Sequence, residues 1–430
     1  MADNTPKTLR NQMLYQIFVR NYSEEGTFAQ VALDLDRIQA LGADIIWLMP
    51  IHPIGKTARK GTLGSPYAIR DYRAVNPEFG TLDDFKSLVA AIHDRGMRCI
   101  IDVVYNHTSP DSVLAAEHPE WFYHKPDGSF GNRVGDWTDI IDLDYSNKEL
   151  WRYQIDTLKQ WAAIVDGFRC DVAPLIPIAF WEQARREVET VRPGAVWLSE
   201  SVEPGFILYM REQGLTALSD AEIYRAFDLS YDYDCYDAFK NYFYGKGTLQ
   251  AYADAVNRQE YTYPDNYVKL RFLENHDQTR ARFFIPDTAA LASWTAFMFF
   301  QKGMPLVYAG QEYGVSHLPS LFDKDTVPWF GSETVDLTPL IARLADIKRD
   351  ALFTDSTYHV AAIGEDALVA THRKNGKKAV GVFPLRGQTA LFPADLPDGT
   401  YTDLLSGEAV EVFRGGVQCF GKAVILMCNT

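Results

Sequence analysis

Short apolar runs alternate, along most of this chain, with stretches whose apolar residues recur at helical spacing. Residues 14–20 and 45–50 read as strands. Between them, residues 28–40 set Val31, Leu35 and Ile38 on one helical face, and Gly42 supplies the usual stop. Residues 82–95 repeat the pattern with Phe85, Leu88, Val89 and Ile92, closed by Gly96 ahead of a strand over 97–105. Strand and helix taking turns predicts βαβ units and a parallel sheet.

Residues 108–146, rich in His, Pro, Gly, Asp and aromatics, break the alternation. It resumes with a helix over 148–163 and strands that end at Asp171 and Glu200. A weakly marked strand follows at 226–231, then one ending at Asp277, one ending near Gly310 and a helix over 339–350. The prediction is an α/β fold, a (β/α)8 TIM barrel made from residues 1–107 and 147–354. A loop-rich domain, 108–146, is inserted after its third strand, and insertions of that size at a barrel rim tend to be functional. From 355 the pattern shortens to alternating runs such as 367–372, 378–383 and 423–427, separated by Gly, Asn and Pro. Residues 355–430 therefore predict a C-terminal antiparallel β-sandwich.

The strand-like runs matter most at their ends. IIDVVYNH (100–107), VDGFRCD (165–171), VWLSE (196–200) and LRFLENHD (270–277) are apolar segments that finish in acids, histidine or arginine. In a parallel barrel that edge is where active sites are built. Arg169 and Asp171 are two apart on one strand, so both point into the barrel mouth. A guanidinium beside Asp171 predicts a lowered pKa and an ionised nucleophile. Glu200 follows an apolar strand, where a carboxyl can stay protonated and serve as a general acid. Asp277, with His276 and Asn275, and His107 on the third strand offer directional hydrogen bonds to sugar hydroxyls.

Composition narrows the field. A chain of 430 residues with formal charge −15 and no Lys/Arg block presents no surface for nucleic acid or anionic membrane. The start, MADNTPKTLRNQ, lacks a basic segment followed by an apolar one, and the apolar stretch 291–300 is too short to span a bilayer. Cys99, Cys170, Cys235, Cys419 and Cys428 show neither pairing nor metal spacing, which fits reduced thiols and a cytoplasmic location. The absence of a glycine-rich phosphate loop or zinc spacing argues against nucleotide and transition-metal enzymes.

Together these motifs resemble the α-amylase family of glycoside hydrolases over essentially the whole length. DVVYNH matches that family's first signature, GFRCD its second, the glutamate of WLSE its third and FLENHD its fourth. IIDLDYSN (140–147) is similar to a further signature at the end of the inserted domain. The resemblance implies Asp171 as nucleophile, Glu200 as general acid/base and Asp277 as the carboxylate that holds ring hydroxyls. It implies that His107, Arg169 and His276 complete the subsite, and that Tyr67 of SPYAIRDYRAVNPEFGT stacks on the sugar. The reaction would be a retaining hydrolysis of α-1,4 glucosidic bonds, extending to α-1,6, in malto- or isomalto-oligosaccharides or α-glucans. A glucanotransferase or glucoside isomerase using the same double displacement is the alternative, and a non-catalytic sugar-binding relative a third.

No cofactor is implied for the chemistry. The resemblance offers a structural calcium site, with Asn106 as the family's usual ligand and Asp142 or another acid of the inserted domain as a partner oxygen. The alternative is that Asn106 only hydrogen-bonds loop backbone, and the acidic calcium loop that some relatives carry after the first strand is missing. Departures from the pattern bear on substrate. Ala68 follows Tyr67 where many exo-acting α-glucosidases carry aspartate. Val172 to Leu175 replace the Lys-His pair of many starch-degrading endo-amylases. Tyr105, Trp121, Phe122, Tyr123, Phe130, Trp137, Tyr231 and Tyr233 are candidates to stack on sugar faces.

Overall fold

The computed structural model describes residues 3–135, 137–331 and 335–429. Eight parallel strands close into a barrel: β1 (Leu14–Ile17), β2 (Ile45–Leu48), β3 (Arg98–Val103), β4 (Gly167–Cys170), β5 (Val196–Ser199), β6 (Leu229–Tyr231), β7 (Val268–Arg271) and β8 (Met304–Tyr308). Their order around the barrel follows the chain, with β8 pairing back on β1. The strands are buried on both faces, which is why they read as unbroken apolar runs.

The outer helices carry their own stop and start signals. Helix Leu82–Asp94 begins in a capping box in which Thr81 and Asp84 satisfy one another's backbone N–H groups. Helix Lys148–Ala162 begins under the Asn147 side chain. Gly167 opens β4 at φ +158, and a Cβ there would lie 2.1 Å from the Val196 carbonyl oxygen. Glycine is what lets β4 seat against β5, and with it the strand that carries Arg169 and leads to Asp171.

Two elements differ from the pattern in the sequence. The strand expected over 14–20 ends at Ile17, and Val19–Tyr22 turn into a helix. The helix expected over 28–40 splits into Phe28–Leu33 and Leu35–Ala40 at Asp34. There the Asp34 carboxylate accepts from the Arg37 guanidinium and the Tyr22 hydroxyl, a tertiary bond that spacing alone does not reveal.

Within the segment after β3, His107–Thr108 pairs antiparallel with Ile141–Asp142, so the insertion leaves and returns at one point on the rim. The C-terminal part forms two four-stranded antiparallel sheets. One holds β9 (Thr357–Ile363), β10 (Ala367–Lys374), β11 (Lys377–Pro384) and β16 (Val424–Asn429). The other holds β12 (Thr389–Pro393), β13 (Gly399–Thr402), β14 (Ala409–Phe413) and β15 (Gly416–Phe420). Val380, Val382, Phe392, Val412, Val417 and Leu426 fill the space between them.

Helix Thr288–Phe300 joins the two parts. It is apolar on every side because one face packs on the barrel and another on the sandwich. Phe297 and Phe300 meet Phe383 at 5.4 and 5.5 Å between ring centres. His372 of β10 lies 2.7 Å from the Phe300 carbonyl oxygen. Burial drives the His372 pKa well down, so the ring is neutral. Among the described residues no helix is long and apolar enough to cross a membrane. The five cysteines are free thiols.

Candidate active site

The site is organised around one buried cation. Arg169 projects from β4 into the barrel mouth, fully buried, with aromatic rings of Trp47, Tyr67 and Tyr231 around its guanidinium at 5.2, 5.6 and 5.4 Å. Its Nη1 donates to Asp102 Oδ1 at 2.9 Å and to Asp171 Oδ1 at 2.8 Å. Its Nη2 lies 3.0 Å from Glu200 Oε2. Three carboxyl groups from three neighbouring strands thus share a single positive charge.

One charge does not keep three acids ionised in a buried setting, and the consequence is a divided set of protonation states. Burial pushes Asp102 up to about 6, Asp171 to about 7 and Glu200 to about 8, with Arg169 opposing each shift. The lowered pKa expected for Asp171 from its arginine neighbour is therefore not what the structure gives. Burial outweighs the guanidinium, because Arg169 divides its pull among three acids. Both Asp171 and Glu200 therefore hold a proton to higher pH than an exposed carboxyl does.

Glu200 gains a further contact from the backbone. Its Oε2 accepts the Val172 N–H at 2.8 Å. Val172 sits at φ +35, the left-handed region, which a β-branched residue adopts only when its surroundings demand it. That turn, directly after Asp171, aims the N–H at the acid on the next strand.

The remaining sequence-predicted residues converge on the same cavity. It encloses about 380 Å³ and is lined by Tyr67, His107, Asp171, Glu200 and Asp277 among others. The Tyr67 hydroxyl donates to Asp102 Oδ2 at 3.1 Å and lies 2.6 Å from His276 Nε2. The Tyr67 and His276 rings stack 5.4 Å apart. His276 Nε2 also lies 3.0 Å from Asp277 Oδ2, and Gln16 holds its Nδ1 at 2.6 Å. At Asp277 burial pushes the carboxyl up, but His276 and Arg169 together outweigh it and the net shift is downward. Its side chain is 37% exposed, the most open of the three acids. His107 Nε2 is 4.0 Å from Asp171 Oδ2, and burial lowers its pKa to about 4, so it is a neutral hydrogen-bonding group near pH 7.

Of the eight aromatics, Trp137 and Tyr233 line the cavity, with Trp137 5.7 Å from the His107 ring. Tyr231 lies beneath it on Arg169, and Tyr105, Trp121 and Phe122 are buried in packing. Asp102 was not singled out in the sequence, although an acid within the apolar run IIDVV was a signal in itself, because an unpaired buried carboxylate is prohibitive. Lys60 and Asp139 also reach the cavity and were not anticipated.

Asn106 and Asp142 line a separate cavity of about 340 Å³. Asp142 Oδ2 accepts the Arg133 N–H at 2.7 Å, while the buried Oδ1 has no hydrogen-bond partner. The Arg133 guanidinium stands 3.6 Å from Oδ2, so the orphaned Oδ1, with Asn106 in the same cavity, is the oxygen open to a hard cation.

Comparison with known proteins agrees with this geometry. The model of the α-amylase catalytic domain matches residues 12–128 and 116–355, and that of the bacterial α-amylase C-terminal domain matches 359–426. A crystal structure of an α-amylase from Lactobacillus plantarum is similar at 50% identity and TM-score 0.95, covering 98% of this chain and 100% of that one. The α-amylase MalA of Haloarcula japonica is 29% identical over 94% of this chain and 60% of its own length. An α-1,4-glucan:maltose-1-phosphate maltosyltransferase of Myxococcus xanthus is 32% identical over 57% of this chain and 38% of its own. The chain thus spans 60% and 38% of the length of these two curated relatives. With its catalytic-domain match running through the whole barrel, and with four of the sequence signatures gathered around Arg169, the chain belongs to the α-amylase family.

Proposed function

We propose that this protein is a retaining glycoside hydrolase of α-1,4-glucosidic bonds in malto-oligosaccharides or α-glucans, accepting α-1,6 links as well. The observation that carries the reading is the shared guanidinium: Asp171 and Glu200 contact the two terminal nitrogens of Arg169, which holds them as a close pair. A close carboxyl pair suits double displacement. An Asp171 oxygen attacks the anomeric carbon as its bond to the leaving sugar breaks, and Glu200 gives its proton to the departing oxygen. Water then enters, Glu200 takes its proton back, the hydroxyl adds to the anomeric carbon and Asp171 leaves. Asp277 and neutral His107 hold ring hydroxyls, Tyr67 lies against the sugar face, and His276 fixes both Tyr67 and Asp277.

The test is product analysis on maltotriose, isomaltose, panose, pullulan, sucrose and trehalose, with proton NMR of the first-formed anomer. The expected result is shorter sugars, released first as the α-anomer. A β-anomer formed first would exclude retention. The maltosyltransferase relative favours one second reading, transfer to a sugar acceptor, whose mark is oligosaccharides longer than the substrate.

The structural calcium would be held by Asn106 and Asp142 and takes no part in the bond-breaking steps. It is expected to raise Tm by a few degrees when calcium is added after chelation. No change in Tm on adding calcium would exclude it. Cytoplasmic location is part of the same proposal, supported by five free thiols.

A further inference from the structure

The barrel order fixes which end of the cleft is which. Glu200 follows β5, which lies directly across the barrel from β1, whose neighbours are β2 and β8. The sugar that leaves must lie toward the acid that protonates it, so the part of the chain bonded to Asp171 extends the opposite way. In that direction stand the loops after β2 and β8, and the inserted segment, which leaves the barrel after β3, reaches them through Asp139.

Lys60, from the loop after β2, pairs with Asp139 of the insertion at 2.9 Å, and its ammonium lies 5.9 Å from the centre of the Phe322 ring, from the loop after β8. All three line the same cavity as Asp171 and Glu200. The Phe322 carbonyl accepts the N–H groups of Leu63 and Gly64 at 2.9 and 3.2 Å, and Asp323 accepts from Thr62. At Gly61 a Cβ would meet the Phe322 Cβ at 2.6 Å, so the two loops touch with no room between them. The Asp139 side chain is 6% exposed. An ion pair with one nearly buried partner contributes little to stability after desolvation, which makes its place in a cavity wall worth a functional explanation.

We propose that Lys60, Asp139 and Phe322 close the glycone end of the cleft, so that the enzyme removes short units from the non-reducing end of a glucan instead of cutting within it. The inference rests on the hydrolase reading above. The ammonium and carboxylate hydrogen-bond the hydroxyls of the terminal sugar, and Phe322 stops the chain behind them. This supplies the polar end that Ala68, buried and without a carboxylate, does not. The three side chains share one cavity of about 380 Å³ with Asp171 and Glu200, so a sugar bonded to Asp171 lies within their reach.

The experiment compares maltoheptaose with maltoheptaose whose non-reducing sugar carries a 4,6-O-ethylidene block. The wild-type enzyme is expected to consume the blocked substrate at least about 100-fold more slowly and to release one short sugar first from the free one. In Lys60→Ala and, separately, Phe322→Ala, cleavage of the blocked substrate is expected to rise by about 10-fold or more relative to the free one. Equal rates on the two substrates with the wild-type enzyme, with mixed products from the outset, would overturn the closed end while leaving the hydrolase reading intact. Cleavage of neither would overturn both.

Discussion

Asp171→Asn is expected to lower kcat on malto-oligosaccharides by on the order of 10⁵-fold without loss of fold. An amide is nearly isosteric with the carboxylate, and its oxygen still accepts from Arg169 Nη1, which stands 2.8 Å away in the wild-type protein. What it lacks is the ability to form a glycosyl ester. Arg169 keeps Asp102 and Glu200 as partners, so no buried cation is stranded. Single-turnover kinetics and a melting curve measure both halves. A fall of less than about tenfold, with Tm unchanged, would remove Asp171 from the nucleophile's role.

Glu200→Gln is expected to act on rate, pH profile and stability together. Loss of the proton donor lowers kcat/KM on natural sugars by about 10²- to 10⁴-fold. With α-maltosyl fluoride, whose leaving group needs no proton, formation of the glycosyl-enzyme stays fast. In the wild-type enzyme the requirement for ionised Asp171 and protonated Glu200 makes the profile a bell with its alkaline limb near pH 8. The variant loses that limb.

The stability change has a definite sign. Burial raises the Glu200 pKa from 4.5 to about 8, so the folded protein binds this proton more tightly than the unfolded chain does. The resulting stabilisation is complete below the unfolded value and is lost as pH rises through about 8. Asp171 and Asp102, also raised, slope the same way. At pH 9 the glutamine variant is therefore expected to melt a few degrees above wild type. A lower Tm there would mean that burial does not dominate at Glu200.

The site was legible in the sequence because its parts are delivered at strand ends, and strand ends are written locally as apolar runs that stop in polar residues. Arg169, Asp171, Glu200, His276 and Asp277 are all of this kind. Asp102 lies inside such a run and is recognisable only through the need for a buried partner. Lys60 and Asp139 sit in loops, far apart in sequence, where no period exists to mark them. The same division holds for the fold. Helix Leu82–Asp94 was plain because cap, face and stop are contiguous, whereas the break at Asp34 depends on a tyrosine and an arginine arriving from either side. The raised pKa of Asp171 is not legible in the sequence, because the Arg169–Asp171 pair is visible there and the competition among three acids for one arginine is not.

Helix Thr288–Phe300 has a meaning for how this chain can change over generations. Its outward face is as greasy as its inward one, so the barrel has no version of itself that is finished without the sandwich. A recombination that traded the C-terminal sheets for those of a distant relative would have to bring replacements for Phe383 and His372 in the same exchange. The boundary near residue 355 divides the architecture, but as a unit of inheritance the two parts travel together.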